Sequence, residues 1–279
     1  MYIHANYYFC QMNRFLSFYL IASALILSNC SDNAGAPIDE SPAENRSSVA
    51  ALSYSVVATY PHDTSSFTQG LEFYNGLLLE STGNWKSSRL MQVDLKTGKA
   101  IKSIPLRDSL FGEGITVLND TIYQLTWQDH VVLVYSAKDF KKIKEFPINT
   151  EGWGITNNGK ELIVTDGSSN LYFYEPSTFR LLRTQGVTED GSPAMNLNEL
   201  EFINGFIYAN QWQYPYILKI DPNSGHVVGK MDLTQLAQRA KAANPNEQYM
   251  NGIAYNPETK KVYITGKYWP ELYEISFAF

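Results

Sequence analysis

Short runs in which apolar and polar residues alternate recur along the chain from about residue 50 onward, and pairs of these runs are separated by turn residues. In one pair, residues 114–118 and 121–127 flank Asn119-Asp120, and similar turns occur at Asn75-Gly76 and Asn204-Gly205. Alternation with a period of two, interrupted by Asn, Asp or Gly, predicts antiparallel hairpins. Because a second hairpin follows the first, each unit is predicted to be a four-stranded antiparallel sheet.

Each unit begins with a short motif. Its five versions are Phe67-Thr68-Gln69-Gly70-Leu71, Phe111-Gly112-Glu113-Gly114-Ile115, Glu151-Gly152-Trp153-Gly154-Ile155, Asn198-Glu199-Leu200-Glu201-Phe202 and Met250-Asn251-Gly252-Ile253-Ala254. They start at residues 67, 111, 151, 198 and 250, so the intervals are 44, 40, 47 and 52 residues. This period is typical of propeller blades. We therefore predict an all-β fold, a five-bladed β-propeller over residues 53–279.

The last unit lacks one strand, because the chain ends shortly after residues 271–277. Residues 54–61 form a strand-like run with no partner before the first unit, and they resemble the outermost strands of other units. We predict that this N-terminal strand completes the fifth blade and closes the ring, which removes exposed sheet edges.

The N-terminal segment reads as a targeting sequence. Arg14 precedes an apolar run over residues 15–27, which is short for a membrane span and suits a secretory signal peptide. Residues 27–30 resemble a bacterial lipobox, so we expect a signal peptide over 1–29, a lipidated Cys30 and a flexible tether over 30–52. The protein is then an exported lipoprotein, periplasmic or outer-membrane associated. An ordinary signal peptide or a retained anchor is the alternative.

Composition, charge and the lack of certain motifs exclude several classes of function. A net charge of -6, with no cluster of Lys or Arg, gives no footprint for nucleic acid. Both cysteines, Cys10 and Cys30, precede the propeller, which therefore has no disulfide framework. The four histidines show no zinc-ligand spacing, and no Gly-x-Ser-x-Gly elbow or phosphate-binding loop occurs. We expect a monomer with no cofactor, although a structural ion in the central channel stays open.

Antiparallel four-stranded blades bring the starts of the first strands and the ends of the second strands to one face. All five tryptophans, Trp85, Trp127, Trp153, Trp212 and Trp269, fall in these elements. They are interleaved with the polar residues Gln69, Glu113, Asn198 and Lys267. This combination predicts an aromatic pocket with a few polar groups; the alternative is that the indoles only pack between blades.

Glu113 is the main candidate for proton transfer, because glycines on both sides allow close approach and Phe111 lies nearby. Burial against aromatic surface would raise the pKa of its carboxyl, whereas Lys267 would lower it, and the sequence does not give the sign. Two alternatives remain: Glu113 binds an ion together with Glu199, Glu201 and Asn251, or Lys267 is a solvated surface charge.

Six stretches of the sequence match a known family. They are the first two motifs, residues 125–127, the motif from Glu151 to Gly154, residues 197–201, and Asn251-Gly252-Ile253-Ala254 with Gly266-Lys267. Together they closely resemble the papaya-type glutaminyl-peptide cyclotransferases, which are five-bladed propellers of plants and bacteria. The resemblance covers residues 54–277. It implies that N-terminal glutamine of peptides is converted to pyroglutamate with loss of ammonia and without metal. It also implies catalytic roles for Glu113, Lys267 and Asn198, and substrate contacts from Phe67, Gln69, Phe111, Trp127, Trp153, Trp212 and Asn251.

Two other classes of protein are kept as alternatives. One is a non-catalytic propeller that binds a peptide end or a small amide. The other is a metal-dependent lactonase or lyase propeller, in which the carboxylates would be oxygen ligands. The expected partner is a peptide or protein with N-terminal glutamine, and membrane contact is expected only through the lipid on Cys30.

Overall fold

A computed structural model describes residues 49–279. The predicted signal peptide over 1–29, the lipidated Cys30 and the tether as far as residue 48 lie outside the described residues.

The described chain is almost entirely β-structure. Two strands precede the first motif: β1 (Ala50–Ala51) and β2 (Tyr54–Pro61). The first three blades contain β3 (Thr68–Tyr74), β4 (Leu77–Thr82), β5 (Arg89–Asp94), β6 (Lys99–Pro105), β7 (Gly112–Leu118), β8 (Thr121–Thr126), β9 (Val131–Ser136), β10 (Lys142–Pro147), β11 (Ile155–Asn157), β12 (Leu162–Val164), β13 (Asn170–Tyr174) and β14 (Leu181–Gly186). The remainder contains β15 (Thr188–Glu189), β16 (Ser192–Pro193), β17 (Leu197–Ile203), β18 (Phe206–Gln211), β19 (Tyr216–Ile220), β20 (Val227–Asp232), α1 (Thr234–Ala243), β21 (Met250–Asn256), β22 (Lys261–Gly266) and β23 (Glu271–Phe277).

These strands form five antiparallel meanders, which confirms the predicted five-bladed propeller. Turn chemistry explains the hairpins: Asn75 and Gly76 both have positive φ, as do Asn119 and Asp120, and this is the conformation that tight hairpin turns require. The fifth sheet has the order β2, β23, β22, β21. The N-terminal strand therefore closes the ring as expected, pairing antiparallel with β23 from Tyr54 opposite Phe277 to Pro61 opposite Glu271.

The apolar core is divided into five clusters, one at each junction between neighbouring blades. The junction that closes the ring packs Leu71 and Phe73 of blade one against Tyr263 and Leu272 of blade five. Each blade therefore buries both faces, and stability comes mainly from removing this apolar surface from water. Five junctions for five blades leave no open gap in the ring.

Residues 50–52 are part of the propeller, contrary to the sequence-based boundary at residue 53. The predicted tether over 30–52 includes them, but β1 pairs in parallel with β20, with Ala50 opposite Gly229, and the Leu52 amide donates to the Lys230 carbonyl. Gly229 makes this possible, because a side chain there would meet Leu52 at about 3.0 Å. Blade four is consequently five-stranded, and the N-terminal segment crosses from blade four to blade five along their outer edges.

Two long connections follow outermost strands. The first contains the small hairpin of β15 and β16, and the second contains α1, which ends before Asn244. The Asn244 amide of the second connection donates to the Tyr268 carbonyl at 2.8 Å, which ties the end of the helix to blade five. Within residues 49–279, no helix has the length and apolar character to cross a membrane.

Candidate active site

The repeated motif is a β-bulge. In four blades the pairing between the first and second strands shifts register at the motif: between Thr68 and Gly70, Gly112 and Ile115, Leu197 and Leu200, and Met250 and Ile253. A bulge re-aims the side chains of its extra residues. The bulged residues include Gln69, Glu113, Asn198 and Asn251, so the bulge explains why polar side chains meet around the axis.

A pocket of about 320 Å³ opens at this end of the ring. Most of the predicted site residues line it: Phe67, Gln69, Phe111, Glu113, Trp127, Trp153, Asn198, Trp212 and Lys267. They come from all five blades, which is why no local stretch of sequence contains the site.

The aromatic walls are held by edge-to-face contacts. The rings of Phe67 and Phe111 meet at 5.9 Å and 89°, and those of Trp153 and Trp212 at 5.4 Å and 88°. Glycine makes room for them: a side chain at Gly83 would come within 2.3 Å of the Phe111 ring, and one at Gly167 within 2.6 Å of Trp153. These walls are therefore rigid surfaces that exclude water from the polar groups between them.

Two of the five tryptophans do not line the pocket, contrary to the sequence-based expectation. Trp269 is fully buried in the junction between blades four and five, and its Nε1 donates to the Gln248 carbonyl at 2.9 Å and to Glu247 at 3.0 Å. Trp85 lies on the outer rim, 54% exposed, against Phe111 and Trp127. Position at the same end of the ring did not distinguish an interblade contact from a pocket wall.

A chain of amide hydrogen bonds orients Glu113. The Asn251 amide nitrogen donates to Gln69 Oε1 at 2.9 Å, and the Gln69 amide nitrogen donates to Glu113 Oε1 at 2.8 Å. Asn251 is buried and does not line the pocket, so the expected substrate contact is not what the geometry shows. It fixes the direction of the Gln69 amide, which in turn holds the carboxyl.

Burial determines the protonation behaviour of Glu113. Removal from water raises the pKa of its carboxyl well above the ordinary value, the Lys267 charge partly offsets the rise, and the Glu151 charge adds to it. The sign that the sequence left open is therefore upward. A carboxyl with a raised pKa keeps its proton to higher pH than an ordinary glutamate, which suits a group that both accepts and donates a proton.

Lys267 is not a solvated surface charge. Its side chain is buried, and its Nζ lies 4.6 Å from the centre of the Phe67 ring. Burial lowers the pKa of the ammonium to about 8, although the Glu113 charge opposes this change. The backbone of Lys267 is fixed by pairing with residues 248 and 249, at 2.9 and 3.0 Å.

Glu151 belongs to the site by its contacts, although the sequence analysis did not single it out. Its carboxylate accepts from the indole nitrogens of Trp127 at 2.8 Å and Trp153 at 3.0 Å, and from the Gln128 amide at 2.9 Å. Burial acts to raise the pKa of this carboxyl, but these hydrogen bonds outweigh it and the net shift is downward. A charged Glu151 thus fixes two walls of the pocket.

Asn84, Gln248 and Tyr249 also line the pocket and were not predicted individually. Gln248 and Tyr249 belong to the long connection after β20, whose length was the only sequence signal for a role at the site. Asn84 donates to the Tyr268 hydroxyl at 2.7 Å, and Tyr268 packs on Phe67.

The other axial carboxylates are engaged by the backbone. Glu199 accepts from the amides of Leu71 at 3.2 Å and Ile253 at 2.8 Å, and Glu201 accepts from the amide of Tyr255 at 3.1 Å. In the part of the chain that the structure describes, no three His, Cys, Asp or Glu side chains are grouped to hold a metal ion. The geometry therefore does not support the alternative in which Glu113, Glu199, Glu201 and Asn251 form one ligand set.

The fold is a closed five-bladed propeller, and its axial pocket combines aromatic walls with a buried carboxyl and a buried ammonium. These features are those of a propeller enzyme that acts on a small polar group. Residues 21–277 match the family described as Glutamine cyclotransferase. A glutaminyl-peptide cyclotransferase of Arabidopsis thaliana is 37% identical over 223 residues, which is 79% of this chain and 70% of that protein. The crystal structure of Myxococcus xanthus glutaminyl cyclase superposes with a TM-score of 0.78 at 34% identity, covering 82% of this chain and 98% of that one. The chain belongs to the glutamine cyclotransferase family.

The lowered pKa of Lys267 predicts the alkaline side of the pH profile. If the ammonium charge is needed, kcat should fall as pH rises through about 8, because Lys267 then loses its proton. Lys267→Arg keeps its charge to far higher pH, so its kcat should be lower overall and should lack this decline. The quantity to measure is kcat, because the free substrate amine titrates in the same range and affects kcat/KM. An unchanged decline in Lys267→Arg would contradict the assignment.

Proposed function

We propose that this protein is a glutaminyl-peptide cyclotransferase, an acyltransferase that converts the N-terminal glutamine of peptides and proteins to pyroglutamate and releases ammonia. The observation that carries the proposal is the buried carboxyl of Glu113 at the propeller axis, with a raised pKa, next to Lys267 and enclosed by aromatic walls. Membership of the glutamine cyclotransferase family supports it.

The pocket has the size and polarity for one glutamine residue. Its volume of about 320 Å³ lies at the small end of ligand sites, and its apolar rings would enclose the aliphatic part of a glutamine side chain. Asn198 lines the pocket, and its Oδ1 is buried and has no hydrogen-bond partner among residues 49–279. A buried acceptor without a partner costs free energy until it is satisfied. We propose that it accepts an N–H of the substrate.

The reaction requires the transfer of one proton from the attacking amine nitrogen to the leaving amide nitrogen. The α-amine of the substrate attacks the carbon of its own side-chain amide, forming the ring C–N bond and an oxyanion. The amine nitrogen then loses a proton to Glu113, and Glu113 returns a proton to the amide nitrogen, so that the C–N bond to ammonia breaks and the carbonyl reforms. Lys267 donates to the oxyanion while its charge is present.

No protein nucleophile takes part, because both reacting groups belong to the same residue. Holding the side chain folded back on the amine supplies the proximity effect, and the rigid walls provide that constraint. We further propose that no metal or other cofactor acts in the chemistry, and that the protein works as a monomer. Full activity in the presence of a strong chelator would be the expected outcome, and loss of activity that added metal restores would contradict it.

Glu113→Gln tests the proton transfer. The substitution keeps the size of the side chain but cannot accept the proton, so turnover should fall by roughly 10²- to 10⁴-fold. The apparent affinity for a glutaminyl dipeptide should change much less, since the aromatic walls remain. The measurement is ammonia release from the dipeptide. Glu201→Gln is a matched control, because Glu201 is an axial glutamate outside the pocket lining, and its turnover should be near that of the parent. Full activity of a folded Glu113→Gln protein would refute the role.

We propose that the protein is exported and anchored by lipid on Cys30, in the periplasm or at the outer membrane, on the basis of residues 27–30. Mass spectrometry of the membrane fraction should find a lipidated N-terminal Cys30. Cys30→Ala should release the protein from the membrane fraction with unchanged cyclase activity. An unmodified N-terminus at another residue would contradict the proposal.

A further inference from the structure

A second cavity, of about 530 Å³, lies beside the pocket at the same end of the ring. We call it the side groove. It lies between the turn that joins β18 to β19 and the helix α1, and its lining is Gln213, Tyr214, Pro215, Ala237, Lys241, Glu247, Gln248, Tyr249 and Met250. Neither the sequence analysis nor the proposed reaction uses it.

The side groove and the pocket share a wall. Gln248 and Tyr249 line both cavities, so a chain that leaves the pocket over this wall enters the groove directly. The wall is held in place by the backbone of Lys267, whose carbonyl accepts from Gln248 and whose amide donates to the Tyr249 carbonyl. The two cavities therefore lie side by side, separated by a partition that the Lys267 backbone holds in place.

Aromatic rings continue from the pocket into the side groove. Trp153 packs on Trp212 at 5.4 Å, and Trp212 packs on Tyr249 at 5.9 Å. Beyond this wall Tyr214 stacks on Tyr216 at 6.1 Å with the rings only 6° from parallel. Tyr249 and Tyr214 are 42% and 48% exposed, so both present ring surface to a ligand.

The charges of the side groove are already paired. Lys241 Nζ lies 3.6 Å from Glu247 and donates to the Pro245 carbonyl at 2.8 Å, and Glu247 also accepts from Trp269. The groove thus offers aromatic rings beside neutral amides and one pair of opposite charges, with no excess charge of either sign. This chemistry suits an extended peptide with apolar side chains rather than an ionic ligand.

We infer that the side groove binds the part of the peptide that follows the N-terminal glutamine, with an apolar or aromatic third residue against Tyr214 and Tyr249. The inference rests on the proposed cyclase function. A peptide substrate has only its first residue in the pocket, and an extended chain advances about 3.3 Å per residue, so the next two or three residues must lie on the adjoining surface. The enzyme then selects substrates by more than their first residue.

The opposite rim offers a competing exit. Trp85 is exposed there and contacts Phe111 and Trp127, so a peptide leaving on that side would pack on its ring. The side groove is favoured because it is a cavity that shares the wall of Gln248 and Tyr249 with the pocket, whereas Trp85 is a single exposed ring. The two exits predict different responses to substitution.

The test compares two substrates in each variant: glutamine amide, which ends at the pocket, and the tetrapeptide Gln-Ala-Phe-Ala, which extends beyond it. The measured quantity is the ratio of kcat/KM for the tetrapeptide to kcat/KM for the amide. Tyr214→Ala should lower this ratio by roughly two- to tenfold, the range expected for loss of an aromatic contact. Ala237→Gln, which fills the groove from the helix, should lower it as well, and Trp85→Ala should leave it within about twofold even if both rates fall.

The outcomes are separable. If both substrates are cyclised but the ratio is unchanged in Tyr214→Ala and in Ala237→Gln, the groove assignment is wrong and the cyclase function stands. If the ratio falls only in Trp85→Ala, the peptide leaves by the opposite rim. If neither substrate is cyclised by the parent protein, the proposed function and this inference both fail. A Tyr214→Ala protein that does not fold leaves Ala237→Gln to decide.

Discussion

The innermost strand of each blade is a sheet edge that faces the axis, and its backbone N–H groups need acceptors. Glutamates of other blades supply them: Glu199 accepts from the amide of Ile253 in the next blade and from that of Leu71 across the axis, Glu201 accepts from that of Tyr255, and Glu72 accepts from that of Val117 at 3.3 Å. A buried amide without a partner would cost about 1–3 kcal/mol. These side chains therefore join the innermost strands where no sheet ladder can.

Glycine allows the strands to come this close. A side chain at Gly154 would meet the Asn198 carbonyl at 2.0 Å, one at Gly70 would meet the Ile115 amide at 2.5 Å, and one at Gly114 would meet the Trp153 carbonyl at 2.8 Å. Gly70 and Gly114 lie in the bulges that turn Gln69 and Glu113 into the pocket, and Gly154 lets the next strand approach the bulge that carries Asn198. The close packing of the innermost strands therefore both stabilises the ring and positions the polar groups of the site. Burial at the axis raises the pKa of Glu113 and also that of Glu199.

The sequence predicted the fold well because period-two alternation, turn residues and a repeated motif all indicated the same blade. The ring closure followed from counting strands, and the resemblance named most of the pocket. The roles of individual residues were harder to predict. Trp85 and Trp269 follow second strands, as the pocket residues Trp127 and Trp212 do, and Asn251 lies in the repeated motif, as Gln69 does. What lies beside each residue differs, and only the folded structure shows it. Glu151 escaped notice for the same reason: its importance comes from two indole nitrogens that only the folded ring brings to it.

The proposed mechanism depends most on Glu113 being a buried carboxyl that stays protonated at a pH at which ordinary glutamates are ionised. Infrared difference spectra between the parent protein and Glu113→Gln, recorded across a pH series, measure this directly. The expected result is a protonated-carboxyl band that persists to higher pH than the bands of glutamates of ordinary pKa and that is absent from Glu113→Gln. A Glu113 that ionises together with the exposed glutamates would contradict it.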